Sequence, residues 1–275
     1  MNKNEEAEIS TGWERERRVH FDEIVETYDK IRPEYPSELF KDILTYSTAN
    51  KALEIGAGTG KATVPFLSAG FSVTAVELGE NMVQFLLSRF NEYKNFNVIT
   101  SDFEIAPLED DSYDLVYAAS AFHWVNAEIG CPKVFRILKS GGTFALFRYN
   151  VIRADGNENY EEIQEIYKKY YHKPYKKPLQ IPREEYLEPT EILRGFGFKD
   201  LKTYGFTDIS AKLYDAALTY STDEYISFLD TLSDHRSLPE SDRTALYAGV
   251  KDVINKHGGS YKKDYVFQLY MGRKP

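Results

Sequence analysis

Three glycines alternate with single residues in Gly56-Ala57-Gly58-Thr59-Gly60, directly after the apolar run at 51–55. Glycines permit a sharp turn and allow a ligand to approach backbone N–H groups closely. An acidic residue, Glu77, ends the next apolar run. A carboxylate at that position can accept hydrogen bonds from both hydroxyls of a ribose. The pattern therefore predicts a ligand with a ribose, rather than a tight turn with a purely structural role.

The glycine loop differs from two phosphate-binding motifs. The dinucleotide fingerprint is G-x-G-x-x-G, whereas Lys61 follows Gly60 here and the pattern is G-x-G-x-G. A P-loop requires G-x-x-x-x-G-K-[ST], and Ala62 stands where the serine or threonine belongs. The spacing argues against a nicotinamide-dependent oxidoreductase, which stays open as an alternative.

An α/β framework is needed to position this loop. Short apolar runs alternate with helical stretches between residues 50 and 150, which predicts a parallel sheet with helices on both faces. The predicted strands are residues 51–55, 72–77, 97–101, 113–118 and 142–148, and the helices between them are 61–69, 81–93 and 127–138. Later in the chain, residues 197–206 and 265–271 are predicted strands, and 209–257 is predicted to be helical.

Four regions follow from this pattern. Residues 1–49 are predicted to form an N-terminal helical cap, with amphipathic stretches at 14–29 and 37–46, and residues 50–150 the ligand-binding core. Residues 151–195 are predicted to be a helical insertion. Residues 196–275 complete the sheet and carry a second helical insertion at about 209–260.

Composition excludes several classes of protein. The 275 residues are 42% hydrophobic and 28% charged, which suits a folded domain with a sizeable core. The net charge of −9 disfavours a broad nucleic-acid-binding face. No apolar run is long enough to span a membrane, and the first ten residues are too polar for a signal peptide. A single cysteine, Cys131, fits a reducing compartment, so we expect a cytoplasmic protein with no metal site.

Four segments in order resemble the motifs of class I S-adenosylmethionine-dependent methyltransferases. They are A-L-E-I-G-A-G-T-G at Ala52–Gly60, the acidic Glu77, S-D-F at Ser101–Phe103 and L-K-S-G-G-T-F at Leu138–Phe144. The resemblance implies a Rossmann-like, doubly wound α/β fold with a mostly parallel seven-stranded sheet and helical cap insertions. It also implies S-adenosylmethionine as cofactor and S-adenosylhomocysteine as product. The implied cofactor-binding residues are Glu54, Gly56, Ala57, Gly58, Gly60, Glu77, Leu78, Asp102, Phe103 and Ser120.

The flanking segments resemble a narrower group. Tyr28–Pro36, Ala121–Val125, Ser233–Glu240 and Gly258–Tyr270 are similar to type 11 and trans-aconitate methyltransferase-like enzymes. That likeness implies a small-molecule acceptor, with a carboxylate as one option. Nucleic acid and membranes are not expected as partners.

Two aromatic residues and a histidine are candidates near the reacting groups. His123 is a candidate base or hydrogen-bond donor because its usual pKa is close to neutral. A structural histidine packed beside Trp124 is the equally good alternative. Trp124 itself is expected to form a wall, and Tyr28 either covers the cofactor or belongs to the core.

Two further candidates could bind the acceptor. Arg32 could hold a carboxylate through two parallel hydrogen bonds, or it could pair with Glu34 or Asp29 at the surface. His235 and Arg236 resemble a pocket-facing pair, although Asp234 could simply pair with Arg236.

Other functions remain open. The basic, tyrosine-rich stretch at 168–177 could bind single-stranded RNA, but a solvated helix end explains it more simply. The D/N-P-P-Y/F signature of nucleic-acid-directed enzymes is missing, since Ala118-Ala119-Ser120-Ala121 occupies its place. An RNA or protein methyltransferase and a cofactor-binding protein without catalysis are therefore alternatives to a small-molecule enzyme.

Overall fold

A seven-stranded sheet organises the computed structural model, which describes residues 20–47, 50–154, 157–177 and 179–275. The strand order is β3-β2-β1-β4-β5-β7-β6. The first five strands pair in parallel, and β7 is antiparallel to both of its neighbours. The strands are β1 (Lys51–Ile55), β2 (Ser72–Glu77), β3 (Phe96–Thr100), β4 (Tyr113–Ala119), β5 (Leu138–Val151), β6 (Thr207–Ser221) and β7 (Ser260–Arg273). The predicted mostly parallel seven-stranded sheet is confirmed.

Side chains of the central strands alternate between two hydrophobic clusters. Ala52 and Leu115 belong to one cluster, whereas their neighbours Leu53 and Val116 belong to the other. Successive side chains of a strand point to opposite faces, so the sheet is buried on both sides.

The described residues also form α-helices. They are α1 (Val25–Ile31), α2 (Ser37–Tyr46), α3 (Thr63–Ser68), α4 (Glu80–Arg89), α5 (Ala127–Ile137), α6 (Glu158–Tyr167), α7 (Lys173–Tyr175), α8 (Pro189–Phe196), α9 (Thr222–Asp230), α10 (Ser233–Arg236) and α11 (Glu240–Lys256).

The prediction of helix from residue 209 was wrong for its first part. Thr207–Ser221 is an edge strand that pairs with β7 along nearly its whole length. Alanines and leucines in this stretch favour a helix locally, but the backbone hydrogen bonds offered by β7 override that preference. Helices α9, α10 and α11 follow, so the helical part starts at Thr222 instead.

The predicted strand at 197–206 was also wrong. The helix α8 ends at Phe196 with Gly197 as its C-cap, and a 3-10 turn follows at Leu201–Tyr204. Gly197 and Gly205 both have positive φ, at 72° and 91°. These left-handed residues turn the backbone twice within nine positions, which a strand does not allow. The apolar side chains of Phe198, Leu201 and Phe206 are nevertheless buried, because they belong to one of the two hydrophobic clusters of the sheet.

The helix predicted at 14–29 falls partly outside the described residues. Within them, a 3-10 turn at His20–Glu23 leads into α1. None of the described helices combines the length and the apolar character that a membrane span requires.

The helices after β5 and between β6 and β7 share a core rich in tyrosine, which we call the cap core. One lysine, Lys263, is buried in it with 3% of its surface exposed. Its Nζ lies 5.4–5.9 Å from the ring centres of Tyr160, Tyr225 and Tyr261. Burial lowers the pKa of Lys263 to about 7.

We expect Lys263→Met to raise the free energy of unfolding at pH 7, by roughly 1–2 kcal/mol, because the variant buries no charge. In the unfolded chain the pKa returns to 10.5, so between pH 7 and 10.5 the unfolded wild type binds more protons than the folded one. Wild-type stability therefore rises with pH in this window, and the advantage of the variant shrinks. Thermal unfolding at several pH values measures this difference.

Lys262→Met is the matched control, because Lys262 is the exposed neighbour. It should leave the pH dependence of the melting temperature unchanged. A Lys263→Met variant that is less stable than the wild type across pH 6–9 would contradict the expectation.

Candidate active site

A cleft opens at the carboxyl ends of the parallel strands. The strands β2 and β3 lie on one side of β1 in the sheet, and β4 lies on the other side. The topological switch point of the sheet is therefore between β1 and β4. Ligands of open α/β sheets bind at such a point. Residues that end or follow four strands line the cleft, namely Gly56 after β1, Glu77 in β2, Ser101 after β3 and Ser120 after β4.

The three glycines of the loop serve two different purposes. All three have positive φ, between 56° and 84°. A Cβ atom added to Gly56 would lie 2.7 Å from the Cβ atom of Ala121, and one added to Gly60 would lie 2.5 Å from the ring of Phe90. At Gly58 the nearest atom would be 4.0 Å away, on Tyr28. Packing therefore requires the outer glycines, whereas Gly58 keeps space open in the cleft.

The Glu77 carboxylate holds the backbone around it. Its Oε2 accepts the N–H of Gly58 at 2.7 Å, and its Oε1 accepts those of Leu78 and Gly79 at 2.8 and 3.1 Å. Each carboxylate oxygen can accept about two hydrogen bonds. Oε1 already accepts two and Oε2 accepts one, so Oε2 can still accept a hydrogen bond from a ligand hydroxyl. Burial raises the pKa of Glu77, while the three N–H donors oppose that shift.

Glu54 supports the loop from behind. It is 0% exposed, and its Oε2 accepts hydrogen bonds from the hydroxyls of Thr63 at 2.5 Å and Tyr117 at 2.9 Å. Burial raises its pKa to about 8, so the carboxyl is mainly protonated at neutral pH. Because Thr63 begins α3, Glu54 ties the helix start to β1 immediately before the loop.

A segment from the N-terminal region crosses the cleft, and we call residues 20–36 the strap. Asp22 in the strap caps α4, since its Oδ1 accepts the N–H of Met82 at 2.8 Å. Gly79 occupies the N-cap position of α4, and it has no side chain that could accept a hydrogen bond from the helix. A Cβ atom on Gly79 would lie 2.4 Å from Asp22 Oδ1. The strap is thereby fixed beside Glu77, and Arg89 adds an ion pair to Asp29 at 2.7 Å.

Arg32 of the strap occupies the other end of the cleft. Its NH1 donates to the Tyr149 hydroxyl, and its NH2 donates to the Thr231 carbonyl at 2.5 Å. Aromatic rings surround the guanidinium, with the Tyr28 centre at 4.7 Å and the Phe228 centre at 5.7 Å. Within the described ranges no carboxylate pairs with Arg32, and its buried Nε has no hydrogen-bond partner there.

The cleft is therefore electrically polarised. Asp22, Glu77 and Asp102 lie on its β2–β3 side, and Arg32 lies on its β5 side next to Tyr149. A ligand that fills it should carry hydroxyl or cationic groups at one end and an anionic group at the other.

Comparison with known proteins finds similarity to methyltransferases. The family model described as "Methyltransferase domain" matches residues 53–146, which contain the glycine loop, Glu77 and Ser120. An uncharacterized methyltransferase of Schizosaccharomyces pombe is 26% identical over 231 residues, which cover 82% of this chain and 84% of that protein. These likenesses support an S-adenosylmethionine-dependent methyltransferase.

Two further likenesses place this methyltransferase among its relatives. The malonyl-[acyl-carrier protein] O-methyltransferase of Acetivibrio thermocellus is 24% identical over 255 residues, covering 89% of this chain and 86% of that protein. Phosphoethanolamine N-methyltransferase 2 of Haemonchus contortus, solved with phosphomonomethylethanolamine and S-adenosylhomocysteine, shares the fold with a TM-score of 0.54 and 18% identity. The alignment covers 94% of this chain and 59% of that one.

The cleft fits S-adenosylmethionine, the cofactor of this methyltransferase. The spare acceptor position of Glu77 suits a ribose hydroxyl, and the open space at Gly58 admits the ligand close to the loop backbone. Aromatic rings suit the sulfonium cation, and Phe21, Tyr28 and Trp124 all line the cleft.

Most predicted cofactor residues of the methyltransferase lie together. The cleft is lined by Gly56, Ala57, Gly58, Glu77, Leu78, Asp102, Phe103 and Ser120. Glu54 and Gly60 do not line it and instead support the loop, as described above. Of the predicted acceptor residues, Tyr28, Arg32 and Trp124 line the cleft. Arg32 does not pair with Glu34 or Asp29, which bind Lys61 and Arg89 instead.

Three predicted residues are not brought to the cleft lining. His123 packs against Trp124, with 5.1 Å between ring centres, and its role as a base stays a prediction. His235 is 2% exposed in the cap core, where it stacks on Tyr247. Arg236 pairs with Asp230 at 3.0 Å. The structure thus places the predicted pocket-facing pair within the cap.

Sequence reasoning gave no role to several residues that line the cleft, among them Phe21, Asp22, Tyr35 and Tyr149. Phe21 and Asp22 carry no local signal, because their role depends on contacts with α4 and Trp124. Tyr149 lies near the carboxyl end of β5, so the strand-end rule that found Glu77 would have found it. Tyr35 lies in the quoted Tyr28–Pro36 motif but was given no role.

The tyrosines of the basic stretch at 168–177 face the cap. Tyr171 donates a hydrogen bond to Asp234, and Tyr175 donates one to Asp242. These phenols therefore have partners within the protein and are not arranged as a row of exposed stacking platforms for RNA bases.

Proposed function

We propose that this methyltransferase transfers the methyl group to a carboxylate oxygen of a small-molecule acid. The observation that carries the proposal is Arg32, a guanidinium on the cleft wall with no carboxylate partner in the described residues. Leaving such a charge without a counter-charge is costly, and a bound carboxylate would compensate it. The planar guanidinium also matches a carboxylate with two parallel hydrogen bonds.

The chemistry of the residues suits a carboxylate. When bound, S-adenosylmethionine supplies a methyl group on a cationic sulfur, and an attacking carboxylate oxygen forms a C–O bond as the C–S bond breaks. The products are a methyl ester and a neutral thioether, and no proton has to leave the acceptor. The protein mainly aligns the two reactants, which can supply on the order of 7–11 kcal/mol.

The environment of His123 agrees with a reaction that needs no base. Burial and the neighbouring guanidiniums of Arg148 and Arg32 lower the pKa of His123 to about 4. A histidine with such a pKa is neutral at pH 7 but binds protons weakly, so it would be a poor base for an amine or a phenol.

The relatives give the proposal further support. The Acetivibrio relative is named as an O-methyltransferase of malonyl-[acyl-carrier protein], so transfer to oxygen occurs among similar sequences. Membership of the trans-aconitate-like group would suit the same acceptor class, and we include it in the proposal. No observation favours an RNA or protein acceptor or a nicotinamide-dependent reaction.

The test is a methyl-transfer screen with labelled S-adenosylmethionine. Small mono-, di- and tricarboxylic acids are compared with amines and phenols, and the products are identified by mass spectrometry. We expect methyl esters, with a rate that changes little between pH 6 and 8, because a carboxylate acceptor is ionised throughout that range. Methylation confined to amines or phenols would overturn the proposal.

A further inference from the structure

One hydrogen bond beside the glycine loop joins the strap to the end of β4. The Tyr35 hydroxyl donates to Ser120 Oγ at 2.8 Å, and both residues line the cleft. Burial raises the pKa of Tyr35 well above its usual value, so this phenol stays protonated and remains a donor.

Ser120 has an unusual backbone. Its φ is +53°, in the left-handed region that disfavours residues other than glycine, asparagine and aspartate. Its N–H donates to the Phe147 carbonyl of β5 at 2.7 Å, which holds the turn in place. A serine at a position where glycine would be less strained points to a use for its hydroxyl.

Hydrogen-bond accounting indicates what that use is. A serine hydroxyl has one proton to donate and two positions that accept. Tyr35 fills one acceptor position of Ser120 Oγ, and within the described part of the chain this hydroxyl donates to no other group. The Tyr35 contact therefore leaves the Ser120 proton available to a ligand in the cleft.

The position in the sheet distinguishes the acceptor from the cofactor. Tyr35 packs edge-on against Phe147 of β5 and Phe267 of β7, with ring centres 5.1 and 5.6 Å apart. This is the side of the cleft on which Arg32 binds Tyr149. Glu77 and Asp102, the candidate contacts of the adenosyl part, lie on the β2–β3 side instead.

We infer that Ser120 donates a hydrogen bond to the acceptor carboxylate, and that Tyr35 is a positioning residue that orients this serine. The inference rests on the proposed function, because it gives the carboxylate held by Arg32 a second contact. The hydrogen bond goes to the oxygen that does not attack, so it fixes the direction of the attacking one and requires no proton transfer.

The experiment compares Tyr35→Phe, Ser120→Ala, Ser120→Gly and the double variant Tyr35→Phe/Ser120→Ala. It uses the full chain and an acid that the wild type methylates. Each single variant should raise the KM for the acid about 3- to 10-fold, the range expected for one hydrogen bond, with little change in kcat. Removing the Tyr35 hydroxyl should have no further effect once Ser120 is alanine.

Two readouts separate this role from a merely structural one. Affinity for S-adenosylhomocysteine, measured by titration calorimetry, should stay within about 2-fold of the wild type in all variants. Ser120→Gly should melt no lower than the wild type, because glycine accepts the left-handed backbone, and should still show the raised KM. Tyr214→Phe, which removes a hydroxyl bonded to Asp42 away from the cleft, is the matched control.

Each outcome decides the inference. Weaker S-adenosylhomocysteine binding with an unchanged acid KM would assign Ser120 to the cofactor and overturn it. Unchanged KM values with an active wild type would overturn the inference while leaving the proposed function intact. A wild type that methylates no carboxylic acid would overturn both.

Discussion

Arg32→Met should lower kcat/KM for the acid acceptor about 100-fold or more, while affinity for S-adenosylhomocysteine changes little. Losing one partner of a buried, hydrogen-bonded charge pair costs about 2–5 kcal/mol. In this protein the missing partner of Arg32 would be the acceptor, because no carboxylate pairs with it among the described residues. Initial rates with the acid, together with calorimetry of S-adenosylhomocysteine, measure the two effects separately.

The stability of the same variant tests the reasoning independently. A guanidinium that belongs to an internal ion pair leaves an unpaired charge behind when it is removed, and the fold is weakened by several kcal/mol. Arg32 has only neutral partners, the Tyr149 hydroxyl and the Thr231 carbonyl. The variant loses these two hydrogen bonds but also removes a charge that has no counter-charge. Because these two effects oppose each other, we expect Arg32→Met to change the free energy of unfolding by no more than about 1 kcal/mol.

The matched control is Arg236→Met, which removes a guanidinium that pairs with Asp230 outside the cleft. It should retain turnover. Arg32→Lys should recover part of the lost rate, because it restores the charge without the planar pair of donors. If Arg32→Met turns over the acid like the wild type, Arg32 does not bind the acceptor.

The lining of the cleft on its β2–β3 side, where we expect the cofactor, was largely predictable from the sequence. In a parallel sheet the carboxyl ends of the strands meet at one edge. The types of the residues that end each strand therefore predict which residues line the cleft. Glu77 and Asp102 are brought to one cleft in this way, although they lie in different motifs. Local sequence was sufficient because each residue only had to end its own strand.

The end of the cleft that we propose for the acceptor was less predictable, because segments that are distant in the chain build it. Arg32 is held by Tyr149 and Thr231, which are more than a hundred positions away in the chain. Tyr35 depends in the same way on Ser120. No periodicity or motif encodes such contacts, and they follow only from the path of the strap across the sheet.

The error at β6 has a similar origin. Its residues are typical of a helix when they are considered alone, yet Thr207–Ser221 pairs with β7, which lies some fifty residues further on. Sequence patterns report local preference, whereas an edge strand is defined by the neighbour it pairs with. Resemblance to the narrower group implied that His235 faces a pocket, and the structure places its ring against Tyr247 in the cap core.

Gly58→Ala should lower the affinity for S-adenosylmethionine roughly 10- to 100-fold, the range expected when a methyl group is forced into a well-packed site. Gly58 has a φ of +56°, and its N–H donates to Glu77. A Cβ atom added there meets no protein atom closer than 4.0 Å, so it would occupy space in the cleft that the ligand needs. Calorimetric titration with S-adenosylmethionine and with S-adenosylhomocysteine measures the loss.

Gly70→Ala separates this effect from backbone strain. Gly70 has a φ of +86° in the turn before β2, and a Cβ atom added there meets nothing within 4 Å. Both variants should therefore lose a similar free energy of unfolding, about 1–2 kcal/mol for a left-handed alanine, but only Gly58→Ala should lose affinity for the cofactor. Equal affinities in the two variants would mean that the loop does not face the ligand. Gly56 and Gly60 cannot serve for this comparison, because a Cβ atom at either position would collide with Ala121 or Phe90 and damage the fold itself.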